Sequence, residues 1–366
     1  MAELSMEDAI VLLCARKNLS DDEMQELTDL LRRRPSWGRI YEVALFNKVY
    51  PLVSYHLLKF STHTIPGLVR RQSLMTYLGN ARRNEALFKE WARVLAALSN
   101  RGIPFSPLKG AHLIPNVYHD MGVRLSNDMD ILIPPDAIAL AAAVMEDLGY
   151  VMGEYDDTTR MIHQITRAKD MFWKRHMGNV HPFIRTDPDP FLDFSCVDFA
   201  FDIDPVQKNP DASLQMLGRL RSVDIAGLPV PLLAPDDFLI HVCAHVYKEA
   251  CSSFAKIAYT LLNLIKFCDV RELVLTEWRT AMPQAWDAFF ARVRALHLEA
   301  AVRYAFHGVY AVYGDPVFEQ LGNQLEVEYV GNPPLPASEA FWAGMFPKGS
   351  FAAQSPVDLG RGITVN

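Results

Sequence analysis

The sequence has no excess of basic residues, and this absence narrows the choice of partner. Lys and Arg number 36 and Asp and Glu number 43 in 366 residues, which gives a formal net charge of -7. A protein that binds a long nucleic acid normally presents a clustered positive surface. We therefore expect no long nucleic acid as partner, and any polyanionic group would have to be bound by a few local cations.

Paired cysteines and long apolar runs are also missing. Charged or polar residues interrupt every long apolar stretch before it reaches membrane-spanning length, so we expect no transmembrane helix. The first apolar run follows acidic residues rather than a basic segment, so we also expect no signal peptide. The five cysteines contain no CxxC pair, and their odd number favours reduced, buried thiols and a cytoplasmic location. They are Cys14, Cys196, Cys243, Cys251 and Cys268.

The composition that remains is that of a folded protein with more than one domain. Half of the residues are hydrophobic, enough for two or three domains with their own cores. Apolar residues at spacings of three and four predict a helical region over residues 1–100 and a second one over 234–330. Between them, residues 101–233 alternate short strands and helices, and 331–366 are predicted to be loop and tail. The predicted fold class is α+β.

Two aspartates stand one residue apart in "NDMDILI", where a buried strand is predicted to begin. Side chains two residues apart on a strand point to the same side, so Asp128 and Asp130 would repel each other unless a cation lay between them. Hard divalent ions with oxygen ligands are the usual solution, which predicts a Mg²⁺ site. The alternative is a strand-end turn whose aspartates are solvated.

Three neighbouring features indicate the same chemistry when they are taken together. Lys109 and Gly110 stand where a strand passes into a helix, and backbone N–H groups with an ammonium could bind a phosphate there. Arg124 precedes the aspartate pair and could supply a second cation, because a guanidinium suits phosphate geometrically. Asp198 lies on the acidic face of the alternating strand "CVDFAFDIDP" and could complete a metal-binding triad. Each also has a simpler interpretation, as a common dipeptide, a surface arginine or an exposed acidic face.

A long polar segment separates the aspartate pair from the acidic strand. Residues 156–194 are rich in proline and aromatic residues and are too long and irregular for a plain connector. The segment is therefore predicted to be a lid or substrate-facing loop, or alternatively a solvated surface excursion.

These motifs resemble those of a branch of uncharacterised bacterial nucleotidyltransferases within the DNA polymerase beta superfamily. The resemblance extends from the helical opening around "FNKVYPLVSYHLL" to the helix "LAPDDFLIHVCAHVYKEA", which is roughly residues 30–275. The three motifs that carry it are "LKGAHL" (108–113), "RLSNDMDILI" (124–133) and "VDFAF" (197–201).

The resemblance implies a minimal nucleotidyltransferase fold for residues 101–233, an NTP co-substrate and a Mg²⁺ or Mn²⁺ cofactor. Asp128, Asp130 and Asp198 would be the catalytic metal ligands, with Asp198 also a candidate base. Residues implied to contact the nucleotide phosphates are Lys109, Gly110, Arg124 and Ser126. The implied reaction moves an NMP group, with ATP the expected donor, to a hydroxyl or similar group of a small molecule or peptide and releases pyrophosphate.

The sequence departs from this family pattern near the third aspartate. Ala200 stands where related chains usually have a histidine, and Asp202 is an alternative third carboxylate. Two other functions remain open. One is a non-catalytic nucleotide-binding or antitoxin-like module, and the other is transfer of the γ-phosphoryl group. A zinc hydrolase is disfavoured, because His241 and His245 lack the adjacent glutamate of HExxH, so packed core histidines are the preferred interpretation.

Overall fold

The structure is a computed structural model. It describes residues 4–177, 179–203, 209, 211–225, 228–251, 262–330 and 333–347. No helix within these ranges combines the length and apolar character that crossing a membrane requires. All five cysteines are free thiols, of which Cys14, Cys243 and Cys268 are buried.

Helices fill the N-terminal region, as the apolar spacing predicts. Serines begin the first three: Ser5, Ser20 and Ser36 each accept a hydrogen bond from a backbone N–H of the first turn, and the first two form full capping boxes. The helices are α1 (Met6–Cys14), α2 (Asp21–Arg32), α3 (Trp37–Phe46), α4 (Tyr50–Leu57) and α5 (Gly67–Asn100).

A mixed six-stranded sheet follows, in the order β1-β2-β6-β5-β3-β4. Its only parallel pair among the described strands is β2 with β6, which the chain joins by a long crossover. The strands are β1 (Ser106–Pro107), β2 (Met129–Leu132), β3 (Val151–Asp156), β4 (Met161–Gln164), β5 (Phe183–Thr186) and β6 (Phe194–Ala200). The helices between them are α6 (Gly110–Leu113), which continues as a π-helical turn over 114–118, α7 (Ile138–Asp147) and α8 (Arg167–Met177).

Residues 156–194 are not the irregular loop that the sequence suggests. They contain β4, α8 and β5, and β5 pairs with both β3 and β6 inside the sheet. Among the described strands, β4 pairs only with β3, and most of its side chains are exposed, so it carries no alternation of apolar and polar residues. The sequence pattern therefore could not reveal it.

The rest of the chain returns to helices after a hairpin. Strands β7 (Arg221–Ile225) and β8 (Leu228–Leu232) pair antiparallel. The prediction of loop and tail for 331–366 is wrong for 339–345, where Phe341, Trp342 and Met345 are buried. The helices are α9 (Ala212–Leu217), α10 (Pro235–Cys251), α11 (Leu264–Leu273), α12 (Pro283–Leu296), α13 (Glu299–Tyr313), α14 (Pro316–Gly322) and α15 (Glu339–Met345).

Two hydrophobic cores result, and they do not follow chain order. One lies between the sheet, α7 and the C-terminal half of α5. The other joins α1–α4 to α10–α15, so that helices from both parts of the chain bury one another. Asn47 connects three of these segments, because its side chain accepts a hydrogen bond from Leu264 N and donates to Val43 O and Met345 O.

Candidate active site

The predicted carboxylates meet at one end of the parallel strand pair. The register of β2 with β6 places Asp130 directly beside Asp198, so their side chains lie on the same face of the sheet. Asp128 precedes β2 by one residue and is exposed, whereas Asp130 is 6% exposed. Asp202 lies beyond the end of β6, so Asp198 is the carboxylate that faces Asp130 across the ladder.

Lys109 reaches this carboxylate pair from a strained turn. Its φ of 44° and ψ of -113°, at the junction of β1 and α6, are unusual for a residue with a side chain. The turn brings Lys109 Nζ to 2.8 Å from Asp130 Oδ1, to which it donates a hydrogen bond. Burial lowers the pKa of Lys109, but the neighbouring Asp130 and Asp128 raise it further, so the net shift is upward and the ammonium stays charged.

Gly110 permits a close approach between α6 and the loop that leads to β2. A Cβ at Gly110 would lie 2.4 Å from Ser126 Oγ and 3.2 Å from an Arg124 guanidinium nitrogen. Any larger residue would displace the buried Ser126 side chain. The predicted "LKG" motif and the loop before β2 therefore form one surface.

Helix α5 fixes this loop through side chains one turn apart. Asn80 Nδ2 donates to Gly122 O at 2.9 Å, and Asn84 Nδ2 donates to Arg124 O at 2.8 Å. Arg83, on the same stretch of helix, donates to Ser126 O. These bonds satisfy backbone carbonyls that no strand or helix pairs, so α5 serves as the support for the loop.

Arg124 makes an ion pair instead of an open phosphate contact. Its Nε and Nη2 donate to the two carboxylate oxygens of Asp269 at 2.8 and 2.7 Å, and its Nη1 donates to Leu125 O. Arg124 and Asp269 are 7% and 6% exposed. The guanidinium faces the site, but most of its donors are already used, and a phosphate contact by Arg124 stays a prediction.

Asp198 carries an oxygen that the protein leaves unpaired. Asn179 Nδ2 donates to Asp198 Oδ2 at 2.9 Å, and Lys248 Nζ lies 3.4 Å from Asn179 Oδ1. Asp198 Oδ1 is buried and has no hydrogen-bond partner within the described part of the chain. Burial, together with the charge of Asp130, raises the pKa of Asp198 to about 7, against the opposing effects of Lys109 and Asn179.

This raised pKa predicts a dependence of stability on pH. The Asp198 carboxyl binds its proton more tightly in the folded protein than in the unfolded chain. This tighter binding stabilises the fold fully below the ordinary pKa of 3.8, and the stabilisation is lost as the pH rises to about 7. Asp198→Asn should therefore increase the unfolding free energy of the metal-free protein at pH 8 by about 1–3 kcal/mol, and by much less at pH 4. Urea titrations in a chelator, at several pH values, measure the difference.

Asp136→Asn is the matched control for this experiment, because Asp136 is exposed just beyond β2. If the stability gained by Asp198→Asn over wild type were the same at pH 4 and pH 8, the raised pKa of Asp198 would be contradicted.

A cavity of about 180 Å³ opens beside the aspartates, between the sheet and the helices. Lys109, Gly110, Arg124, Ser126, Asp128 and Asp130 all line it, as the sequence predicts. Sequence reasoning missed five other charged or titratable side chains in the wall. They are Lys48 after α3, His245 and Glu249 on α10, and Lys266 and Asp269 on α11. One usable signal was the charged residues within the apolar stretch "LIKFCDV", because charges that are buried on a helix usually have partners.

The two histidines of α10 differ in their surroundings. His245 Nε2 lies 3.0 Å from Glu249 Oε1, which also pairs with Lys266. His241 is 5% exposed, and neither of its ring nitrogens has a hydrogen-bond partner among the described residues. Within the same described ranges, no three His, Cys, Asp or Glu side chains converge as a preformed metal site.

Comparison with protein families gives a match. The model of a family described as uncharacterised nucleotidyltransferase matches residues 34–314. This range contains all seven predicted site residues, and it extends beyond the sheet into α13. A search of curated proteins finds no match.

Proposed function

Because the chain belongs to this family of uncharacterised nucleotidyltransferases, we propose that it transfers an NMP group from an NTP, with ATP as the first candidate. The acceptor is a hydroxyl or similar group on a small molecule or peptide, and pyrophosphate is released. The observation that carries the proposal is the pairing of Asp130 with Asp198, one of whose oxygens is unpaired among the described residues, beside a cavity whose wall contains both lysines and carboxylates.

The same residues fit a divalent cation such as Mg²⁺ or Mn²⁺. Carboxylate oxygens are the ligands that these ions prefer, and Asp198 Oδ1, unpaired within the described ranges, and the exposed Asp128 supply them. Lys109 provides the positive charge beside Asp130 in this structure, so metal binding requires the ammonium to move off Asp130. When bound by Asp128, Asp130 and Asp198, the metal would lower the acceptor's pKa and stabilise charge on the phosphates.

Different side chains of the protein then accept the proton, bind the phosphates and orient the base during the displacement. A lone pair of the Asp198 carboxylate that the metal would not use accepts the proton of the acceptor hydroxyl as the hydroxyl oxygen bonds to the α-phosphorus. The bond from the α-phosphorus to the bridging oxygen breaks, and pyrophosphate leaves with the electron pair. Lys109 and Ser126 lie where they can bind phosphate oxygens, and Asn179 keeps Asp198 oriented by its hydrogen bond.

The first experiment measures nucleotide binding, because it does not require the acceptor. Calorimetry with each of the four NTPs, with and without Mg²⁺, is carried out on the wild type and on Asp128→Asn/Asp130→Asn. We expect binding of one NTP that needs Mg²⁺ and that the double variant loses. Absence of binding to all four NTPs would contradict the proposal.

The product then separates nucleotidyl transfer from its nearest alternative. Turnover with the NTP that binds should yield pyrophosphate and an NMP-labelled acceptor when the donor carries label at the α-phosphorus. A nucleoside diphosphate product would instead indicate γ-phosphoryl transfer and would overturn the proposed reaction.

A further inference from the structure

The charges in the cavity wall balance almost completely. Four cations and four carboxylates line the cavity, and six of these eight groups form three ion pairs. These pairs are Lys109 with Asp130 at 2.8 Å, Arg124 with Asp269 at 2.7 Å, and Lys266 with Glu249. The remaining two are Lys48 and Asp128, and neither side chain has a hydrogen bond or an ion pair within the part of the chain that the structure describes.

The backbone holds Lys48 firmly in this wall. The chain turns there in the left-handed conformation, with a φ of 56°, directly after α3 ends. The preceding Asn47 is completely buried, its Oδ1 accepts from Leu264 N, and its carbonyl oxygen accepts from Ile265 N. The ammonium of Lys48 is therefore brought to the cavity by the helices, although it is far in sequence from the sheet that carries the aspartates.

A half-buried ammonium without a partner is costly unless a ligand supplies the opposite charge. Burial lowers the pKa of Lys48, and Asp128 is the first of the charged groups that oppose this shift. An NTP concentrates its negative charge on the β- and γ-phosphates, which a lysine binds as a point charge. In the proposed reaction the α-phosphorus lies near Asp130 and Asp198. Asp128 and Lys48 line the same cavity as Asp130, so the terminal phosphates of a nucleotide bound there would have these two side chains in the surrounding wall.

We propose that Lys48 binds the β- and γ-phosphates of the NTP, the part that leaves as pyrophosphate. This inference rests on the proposed function and assigns a phosphate ligand outside the α/β core. It gives Lys48 the role that the sequence suggests for Arg124, whose guanidinium is paired with Asp269.

The test compares Lys48→Met with Lys89→Met, which removes an exposed lysine from α5. Met keeps the length of the side chain and tolerates the left-handed backbone no worse than Lys does, so the fold should persist, as a thermal melt checks. By calorimetry with Mg²⁺, Lys48→Met should bind the preferred NTP about 10- to 100-fold more weakly than wild type, the cost of one charged hydrogen bond. Lys48→Arg should restore much of the affinity, and Lys89→Met should bind like wild type.

The corresponding NMP separates phosphate binding from a general disturbance of the site. Lys48→Met should bind the NMP as well as wild type does, because the NMP lacks the two phosphates in question. Equal NTP affinities for Lys48→Met and Lys89→Met, or an equal loss of affinity for NTP and NMP, would overturn the inference and leave the proposed function standing. Failure of the wild type to bind any NTP would instead remove the proposed function itself.

Discussion

Asp130→Asn should reduce NTP-dependent turnover by a factor of about a thousand or more, because loss of a metal ligand removes several kcal/mol of transition-state stabilisation. Asp130 stands at the centre of the site, between Asp198 on the neighbouring strand and the ammonium of Lys109. Asn has nearly the same shape, but its neutral oxygen is a poor ligand for a hard cation. Steady-state release of pyrophosphate measures the effect.

The fold should survive this substitution, which is why the loss would be informative. The amide oxygen of the new side chain can still accept the hydrogen bond from Lys109, and Asp128 and Asp198 still compensate the ammonium. Asp136→Asn, four residues beyond β2, is the control and should keep the wild-type rate. A wild-type rate for Asp130→Asn would contradict the mechanism, and a loss of only tenfold would give Asp130 a peripheral role.

Asp269→Ala should lower the free energy of unfolding by about 3–5 kcal/mol, the usual result of removing one partner of a buried ion pair. Its carboxylate accepts two hydrogen bonds from Arg124 and one from Tyr118. The variant would leave Nε and Nη2 of the buried guanidinium without an acceptor, and the Tyr118 hydroxyl would keep only the weak acceptor Cys268 Sγ. Urea unfolding measures the change. The matched control is Asp29→Ala, whose partner Arg32 is exposed, and it should change stability by less than about 1 kcal/mol.

A double variant shows whether the loss of stability in Asp269→Ala comes from the Arg124 guanidinium that is left buried without its partner. Arg124→Met/Asp269→Leu replaces both partners by apolar side chains and should regain most of the stability that Asp269→Ala loses. A double variant no more stable than the single one would argue against this explanation. If the folded double variant also binds the NTP as tightly as wild type, Arg124 has a structural role and contributes no phosphate contact.

The local part of the site could be predicted because it follows short patterns. Alternation along β2 and β6 placed the aspartates on one face, and the dipeptide of Lys109 and Gly110 marked the passage from strand to helix. The sequence left open whether Asp198 or Asp202 is the third carboxylate, and the sheet register places Asp198 beside Asp130.

The helical side of the site could not be predicted in the same way. Lys48, Glu249 and Lys266 come from three segments far apart in sequence, and they meet only because the helices of both regions share a core. Likewise, Arg124 resembled a free phosphate ligand, because its partner lies 145 residues further along the chain. Helix α15 was missed because it is short and stands in a proline-rich context.

The second hydrophobic core also sets an order for folding during synthesis. Helices α1 and α3 emerge from the ribosome first, but Asn47 bonds to Leu264 and Met345, and Tyr313 donates to Ala15 O. The sheet and α5 have their complete set of core residues once residue 200 has been made. The parts of the early helices that pack on α11, α13 and α15 therefore have no partner until those helices have been synthesised. The core of the sheet can form on the ribosome, whereas the core shared by the two helical regions cannot be completed until residue 345 has been released.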